Sequence, residues 1–339
     1  VTRLASALAA LVLALAACGG DDGGGAAATT TTEDGTVRVG LITDAGQLND
    51  RGFNQLANEG LKRAERELGI EGRVIESRSA NEYVPNMTTL ARQGYDLIIG
   101  VGFVQGDAIA TAAERFPDVN FVIIDVDQSS LKGKPQNVVG MLFREEQVGY
   151  LVGYLAGLQV KRDAAPDVVS SVGGFKEPPV DRFIAGYQAG ARLAVPNVKT
   201  LNGYSQDWDD QAKCKELALN QIAAGSRVLF QVAGGCGLGA LDAARERNVW
   251  GIGVDADQSF LGPHVLTSAL KKVDEGVFRT IKSVQDGTFK GGRNLTFGLA
   301  EKGVDLGTVS SRVPDADLVL LEDVKQQIVD GEIVVPRSL

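Results

Sequence analysis

The sequence predicts an α/β protein built from two similar lobes, each a parallel sheet wrapped by helices. Short β-branched runs alternate with amphipathic stretches about a dozen residues long, and the theme runs through the chain twice. The size agrees: 339 residues, 44% of them hydrophobic, suffice for two ordinary cores. In the first half the spacing places strands at 37–43, 73–76, 97–100, 121–124 and 138–141, with helices at 52–68, 84–93 and 105–115. The second half repeats this with strands at 168–172, 200–203, 228–232 and 250–254, separated by helices at 180–194, 210–224 and 238–247. Between the halves lies 145–160, where Gly149, Gly153 and Gly157 share one helical face. The apolar run is too short to span a membrane, so the glycines are read as a close helix–helix contact. A strand at 265–270, a helix at 274–286, a strand at 295–299 and a helix near 315–330 complete the chain. Periodicity leaves these late elements free to return to either lobe. The working division joins 36–143 with about 265–300 as the first lobe, and 144–264 with about 301–339 as the second.

Composition excludes several classes of function. The net charge is −9, from 34 Lys and Arg against 43 Asp and Glu, so no basic field exists for nucleic-acid phosphates. The single histidine, His264, argues against His-built metal centres and Ser-His-Asp hydrolases. The run from Gly100 to Gly106 starts like a dinucleotide fingerprint but lacks its third glycine and follows an interior strand. The phosphate-loop pattern is absent, and the glycine-rich run 234–239 has acids rather than Lys or Arg around it. No nucleotide cofactor and no metal are expected.

The N-terminus reads as an address. Residues 4–17 are almost wholly Ala, Leu and Val behind Arg3, an export signal ending at Leu15-Ala16-Ala17-Cys18-Gly19. This end resembles the lipobox of bacterial lipoproteins, in which the signal (here 1–17) is removed and the cysteine, Cys18, is acylated. Residues 19–35 are Gly, Ala, Thr and acids, a flexible tether. The expected location is the outer face of the cell membrane, held by lipid. In that oxidising setting the two remaining thiols, Cys214 and Cys236, are expected to pair, one in a helix and the other just past the next strand. Two buried free thiols are the alternative, and a redox-active pair fits less well because no Cys-x-x-Cys is present.

In open parallel sheets ligands bind at the carboxyl ends of strands. The unusual residues fall there: Asp44, Gly102-Phe103, Asp125, Gly173-Gly174-Phe175, Asp207-Trp208, Gly234-Gly235 and Asp255. Any one of these acids alone reads as a solvated loop carboxylate. Seven strand ends in two lobes argue for a shared cleft.

Several segments together resemble the basic membrane protein family of ABC-transporter substrate-binding lipoproteins, which includes purine nucleoside receptors. They are Asp44-x-Gly46-x-x-x-Asp50-x-x-Phe53-Asn54, Phe143-Arg144-Glu145-Glu146-Gln147-Val148-Gly149, Gly186-Tyr187-Gln188-Ala189-Gly190, Val232-Ala233-Gly234-Gly235, Val254-Asp255-Ala256-Asp257-Gln258 and Leu270-Lys271-Lys272-Val273-Asp274. The resemblance implies a type I periplasmic-binding-protein fold, two Rossmann-like lobes with a ligand cleft at the hinge that close on their ligand. Residue by residue it implies that Asp44 and Asn54 address a base, that Phe53 and Trp208 stack on its faces, and that Asp125 adds an acceptor. Asp255, Lys271 and the Gly234 backbone would hold a ribose. Taken without the resemblance, Phe53 reads as helix core and Lys271 as a solvated strand-end lysine, while Asp274 reads as a helix cap.

The implied function is a monomeric receptor, not an enzyme, that delivers a nucleoside, a purine above all, to an ABC permease and its ATPase. A sugar receptor, a ligand sensor of the same fold and an enzyme using Asp44, Asp125 and Asp255 are the competing readings.

Overall fold

A computed structural model describes residues 35–44, 46–162 and 166–339. The signal segment, Cys18 and the tether up to residue 34 lie outside the described residues. The first sheet begins with β1 (Arg38–Ile42), α1 (Phe53–Leu68), β2 (Glu71–Ile75), α2 (Tyr83–Arg92), β3 (Leu97–Gly100), α3 (Gly106–Arg115), β4 (Asn120–Ile124) and β5 (Val138–Phe143). Helices cover both of its faces, so the inner strands are apolar on both sides. Every residue of β3, Leu-Ile-Ile-Gly, is buried. Asp50 sets the start of α1 by accepting from the backbone N–H groups of Gly52, Asn54 and Gln55. Gly69, left-handed at φ 71°, ends that helix with its N–H on Glu65 O.

The second sheet comes after a long connecting helix, α4 (Glu145–Arg162). It is built from β6 (Val168–Gly173), α5 (Pro178–Ala194), β7 (Lys199–Tyr204), α6 (Gln211–Ala223), β8 (Val228–Val232), α7 (Gly237–Glu246), β9 (Trp250–Asp255) and β10 (Val265–Lys271). The glycine repeat of α4 is a packing device. A Cβ on Gly149 or Gly153 would overlap the carbonyls of Phe183 or Tyr187 in α5, and Gly186 and Gly190 of α5 meet Glu146 and Tyr150 in the same way. Among the described residues no helix is long and apolar enough to cross a membrane.

The tail elements are α8 (Val273–Gln285), β11 (Arg293–Phe297), β12 (Val304–Leu306) and α9 (Asp315–Val329). The sheet orders are β11-β5-β4-β3-β1-β2 and β12-β10-β9-β8-β6-β7, the same doubly wound order twice. All pairings are parallel except β12 against β10. The division of the tail needs one correction. The strand at 265–271, placed with the first lobe on sequence grounds, is hydrogen-bonded to β9 in the second sheet. It is the fifth strand of that lobe, as β5 is of the first, and the chain crosses back only beyond it. In the first lobe α8 lies on α1, with Arg63 and Glu275 paired at 2.8 Å, and β11 pairs with β5. In the second, β12 borders β10 and Asp317 of α9 holds Arg162 at the end of α4. The chain thus passes between lobes three times, after β5, β10 and β11. The crossings are stitched together by Arg144 N–H on Phe297 O (2.9 Å) and Lys272 N–H on Gly303 O (2.8 Å).

The structure joins Cys214 of α6 to Cys236, the residue before α7, with Cα atoms 5.6 Å apart. Both are fully buried. The Cys236 N–H also donates to Trp208 O at 2.7 Å, so the bridge holds the turn after β8 against the loop that carries Trp208. The closed loop, 22 residues in sequence separation, corresponds by chain entropy to roughly 3 kcal/mol of stabilisation. Urea unfolding of the Cys214→Ser/Cys236→Ser variant is expected to show a loss of about that size, and an unchanged midpoint would contradict a structural role.

Candidate ligand-binding cleft

The carboxyl ends of both sheets open onto one cleft of about 640 Å³, its open mouth included. All eight residues expected to contact a ligand line it. From the first lobe come Asp44 after β1, Phe53 and Asn54 in the first turn of α1, and Asp125 after β4. From the second come Trp208 between β7 and α6, Gly234 after β8, Asp255 at the end of β9 and Lys271 at the end of β10. Asp125 and Asp255 terminate equivalent strands in the left-handed region, at φ 72° and 63°, a conformation that Asp tolerates better than most residues.

Lys271 is the centre of the charge pattern. Only 2% exposed, its Nζ lies 2.7 Å from both oxygens of Asp125 and 3.0 Å from Glu145 Oε1. Arg182 of α5 donates to the other Glu145 oxygen at 2.7 Å. Two cations and two anions from both lobes thus form one buried cluster. The solvated strand-end lysine that sequence alone suggests is absent, and Asp125 and Lys271 meet each other rather than standing free. Burial alone would raise the Glu145 pKa, but Lys271 and Arg182 beside it hold it below the usual value.

Among the described residues the remaining acids of the cleft have no cation at bonding distance. Burial lifts Asp44 to about 6, outweighing its hydrogen bonds from Asn54 Nδ2 (3.0 Å) and Gly46 N–H (2.9 Å). Burial lifts Asp255 to about 7; Lys271 opposes this, while Asp50 and Asp125 add to it. Glu177, the residue before α5, is also pushed to about 7, by burial and then by Asp44 and Asp125. Sequence reasoning missed Glu177, Arg182 and the Asp50 cap. Asp50 stood within the first motif, whereas nothing in local patterning marks Glu177.

Two aromatics from each lobe line the cleft, Phe53 and Phe103 from the first and Phe183 and Trp208 from the second. Trp208 lies over Gly174, where a Cβ would strike its ring, and its ring centroid is 5.3 Å from that of Phe175 at a 51° tilt. Phe53 presents its ring to the Lys271 ammonium at 4.8 Å, with Phe143 at 5.1 Å. Both Phe53 and Trp208 are half-buried, leaving aromatic surface for a planar ligand.

A family model described as "ABC transporter substrate-binding protein PnrA-like" matches residues 37–338. The chain belongs to this Bmp family. The Lactococcus lactis "ABC transporter nucleoside-binding protein BmpA" is 34% identical over 326 residues, 89% of this chain and 90% of that protein. An "uncharacterized lipoprotein" of Pyrococcus horikoshii is 34% identical over 282 residues, 79% of this chain and 68% of its own length. Among solved structures, an ABC-transporter solute-binding protein from Aeropyrum pernix superposes with a TM-score of 0.80 at 27% identity, covering 88% of this chain and 94% of that one. Bmp proteins are extracytoplasmic and work with a permease and an ATPase, and this chain shares their two-lobed architecture.

The raised acids carry a stability signature. From about pH 4 upward the folded protein keeps protons on Asp44, Asp255 and Glu177 that the unfolded chain releases. Their contribution is therefore full below that pH and is lost as pH rises through 6 and 7. His264, pushed down by burial, acts in the opposite sense. In ligand-stripped protein the urea midpoint is expected to fall less steeply between pH 5 and 8 for Asp255→Asn than for wild type. Equal slopes would contradict the description of Asp255 as a buried acid without a counterion.

Proposed function

We propose that this Bmp protein is a nucleoside receptor, with purine nucleosides as its preferred ligands, and that it hands them to an ABC permease. The observation that supports the reading is that aromatics from both lobes, Phe53 and Trp208 among them, line one cleft together with several carboxyls. In this reading Phe53 and Trp208 stack on the two faces of a planar base. Asp44 and Asn54 offer hydrogen bonds to its edge, and Asp255 with the Gly234 backbone offers them to a ribose diol, because one carboxylate can accept both hydroxyl hydrogens. The name of the Lactococcus relative agrees with this ligand class.

Charge argues for a nucleoside over a nucleotide. The cleft's one lysine is already engaged by Asp125 and Glu145, so a phosphate would meet Asp44, Asp255 and Glu177 with no cation left to balance it. A receptor needs reversible lobe closure around an unaltered ligand, and nothing in the proposed roles calls for bond breaking. The Leu15-Ala16-Ala17-Cys18 sequence supports acylation of Cys18 as the membrane anchor, in keeping with the relative named as a lipoprotein.

Calorimetry on ligand-stripped protein with nucleosides, free bases and ribose tests the reading. Trp208→Ala is expected to weaken every base-containing ligand by ~1–3 kcal/mol, about 5- to 150-fold. Asp255→Ala is expected to weaken nucleosides far more than free bases. Ribose binding as tightly as any nucleoside, or no nucleoside binding at all, would overturn the assignment.

A further inference from the structure

The end of the cleft assigned above to the base is made of acceptors. Asn54 donates its amide nitrogen to Asp44 Oδ1 at 3.0 Å and to Asp50 Oδ2 at 3.3 Å. Turning the amide over would set its oxygen against two carboxylates, so the orientation is fixed by charge. Its Oδ1 is then a buried acceptor with no partner among the described residues. Asp44 uses Oδ1 for Asn54 and the Gly46 N–H, and among the described residues Oδ2 accepts nothing.

The other lobe contributes Glu177. It occupies the N-cap position of α5, yet its side chain makes no capping hydrogen bond. Among the described residues its carboxyl meets no donor and no cation at bonding distance. Instead it lines the cleft, where its charged neighbours are Asp44 from the β1–α1 loop, Asp125 from the end of β4 and Lys271 from the end of β10. The helix leaves this carboxyl free, and Pro178 and Pro179 after it fix the backbone that presents it. A half-buried acid with no internal partner is costly unless a ligand supplies donors.

We propose that Glu177 is a specificity-determining residue which, with Asp44 and Asn54, forms an acceptor-only edge that selects guanine over adenine. This rests on the nucleoside reading of the cleft. The guanine edge carries three adjacent N–H hydrogens, one on N1 and two on the 2-amino group, whereas adenine interrupts its donors with the N1 acceptor. A carboxylate facing that lone pair has nothing to accept. Hypoxanthine keeps the N1–H but lacks the 2-amino group, so inosine isolates the contribution of that group. Sites built to bond a ligand's N–H reject the analogue lacking it by large factors, because their own buried groups are left unpaired.

The test is calorimetry of ligand-stripped protein with guanosine, inosine and adenosine at pH 6 and pH 8, for wild type, Glu177→Gln and Glu177→Ala. Wild type is expected to bind guanosine about tenfold or more tighter than either other nucleoside at pH 8. That ratio should be smaller at pH 6, since only the ionised carboxyl is a pure acceptor. Both variants are expected to reduce the guanosine-to-inosine ratio to about threefold or less and to weaken its pH dependence, what remains of it coming from Asp44. The wild-type pH comparison needs no variant to fold. Equal binding of the three nucleosides, a ratio that is flat with pH, or a ratio unchanged in both variants overturns the role of Glu177 and leaves the nucleoside assignment standing. Failure of every nucleoside to bind overturns both.

Discussion

A single buried ammonium, Lys271 Nζ, is the constraint on which the cleft depends. An ion out of water is tolerated only when fully paired, and here the pairing draws on the whole molecule. Asp125 comes from the end of a first-lobe strand, Glu145 from the helix that starts at the first crossing, and Arg182 from a second-lobe helix that supports Glu145. The cluster therefore sits where the lobes join and ties them there. It also consumes the cleft's lysine. Every other acid facing the ligand space is left without a counterion, which is why burial dominates the titration of Asp44, Asp255 and Glu177. A cavity of that kind disfavours phosphate and favours an uncharged ligand rich in donors.

The two lobes are variations on one plan. Asp125-Val126-Asp127-Gln128-Ser129 and Asp255-Ala256-Asp257-Gln258-Ser259 occupy the same place, after the fourth strand of each sheet. In both, the first Asp is left-handed and the second accepts the N–H of the Ser two residues on. Glycines with positive φ, Gly102 and Gly234, come after both third strands. The difference lies in the partner: Lys271 reaches Asp125 at bonding distance and leaves Asp255 without one. One copy of the strand-end acid thus builds the joint between lobes, and the other is free for the ligand space.

Much of this was legible in the sequence because parallel strands and amphipathic helices leave local signatures. The Leu97–Gly100 and Val228–Val232 strands match their expected bounds, since buried apolar runs between turn signals have sharp ends. The placement of chemistry at strand ends came from the doubly wound rule, which pointed to Asp44, Asp125, Trp208, Gly234 and Asp255, whereas Phe53, Asn54 and Lys271 were named by the family resemblance; all eight line one cleft. Long-range pairing was not legible. Asp125 and Lys271 are 146 residues apart, and each alone resembles a surface charge. The strand at 265–271 was misplaced because the chain was divided just before it. The repeated Asp-x-Asp-Gln-Ser, which precedes the fifth strand of each lobe, is the signal that assigns it. Glu177 could be found only in three dimensions, because its role depends on a capping bond it does not make.

The most direct test of the buried joint is a double-mutant cycle read by urea unfolding of ligand-stripped protein. Lys271→Met strands Asp125 and Glu145, and Asp125→Asn leaves Lys271 short of a charge, so each single change is expected to cost about 3–5 kcal/mol. The double variant removes both halves of the pair while Arg182 still serves Glu145, so its loss should be well below the sum of the two. Strictly additive losses, or single variants as stable as wild type, would contradict a joint that depends on this ion pair.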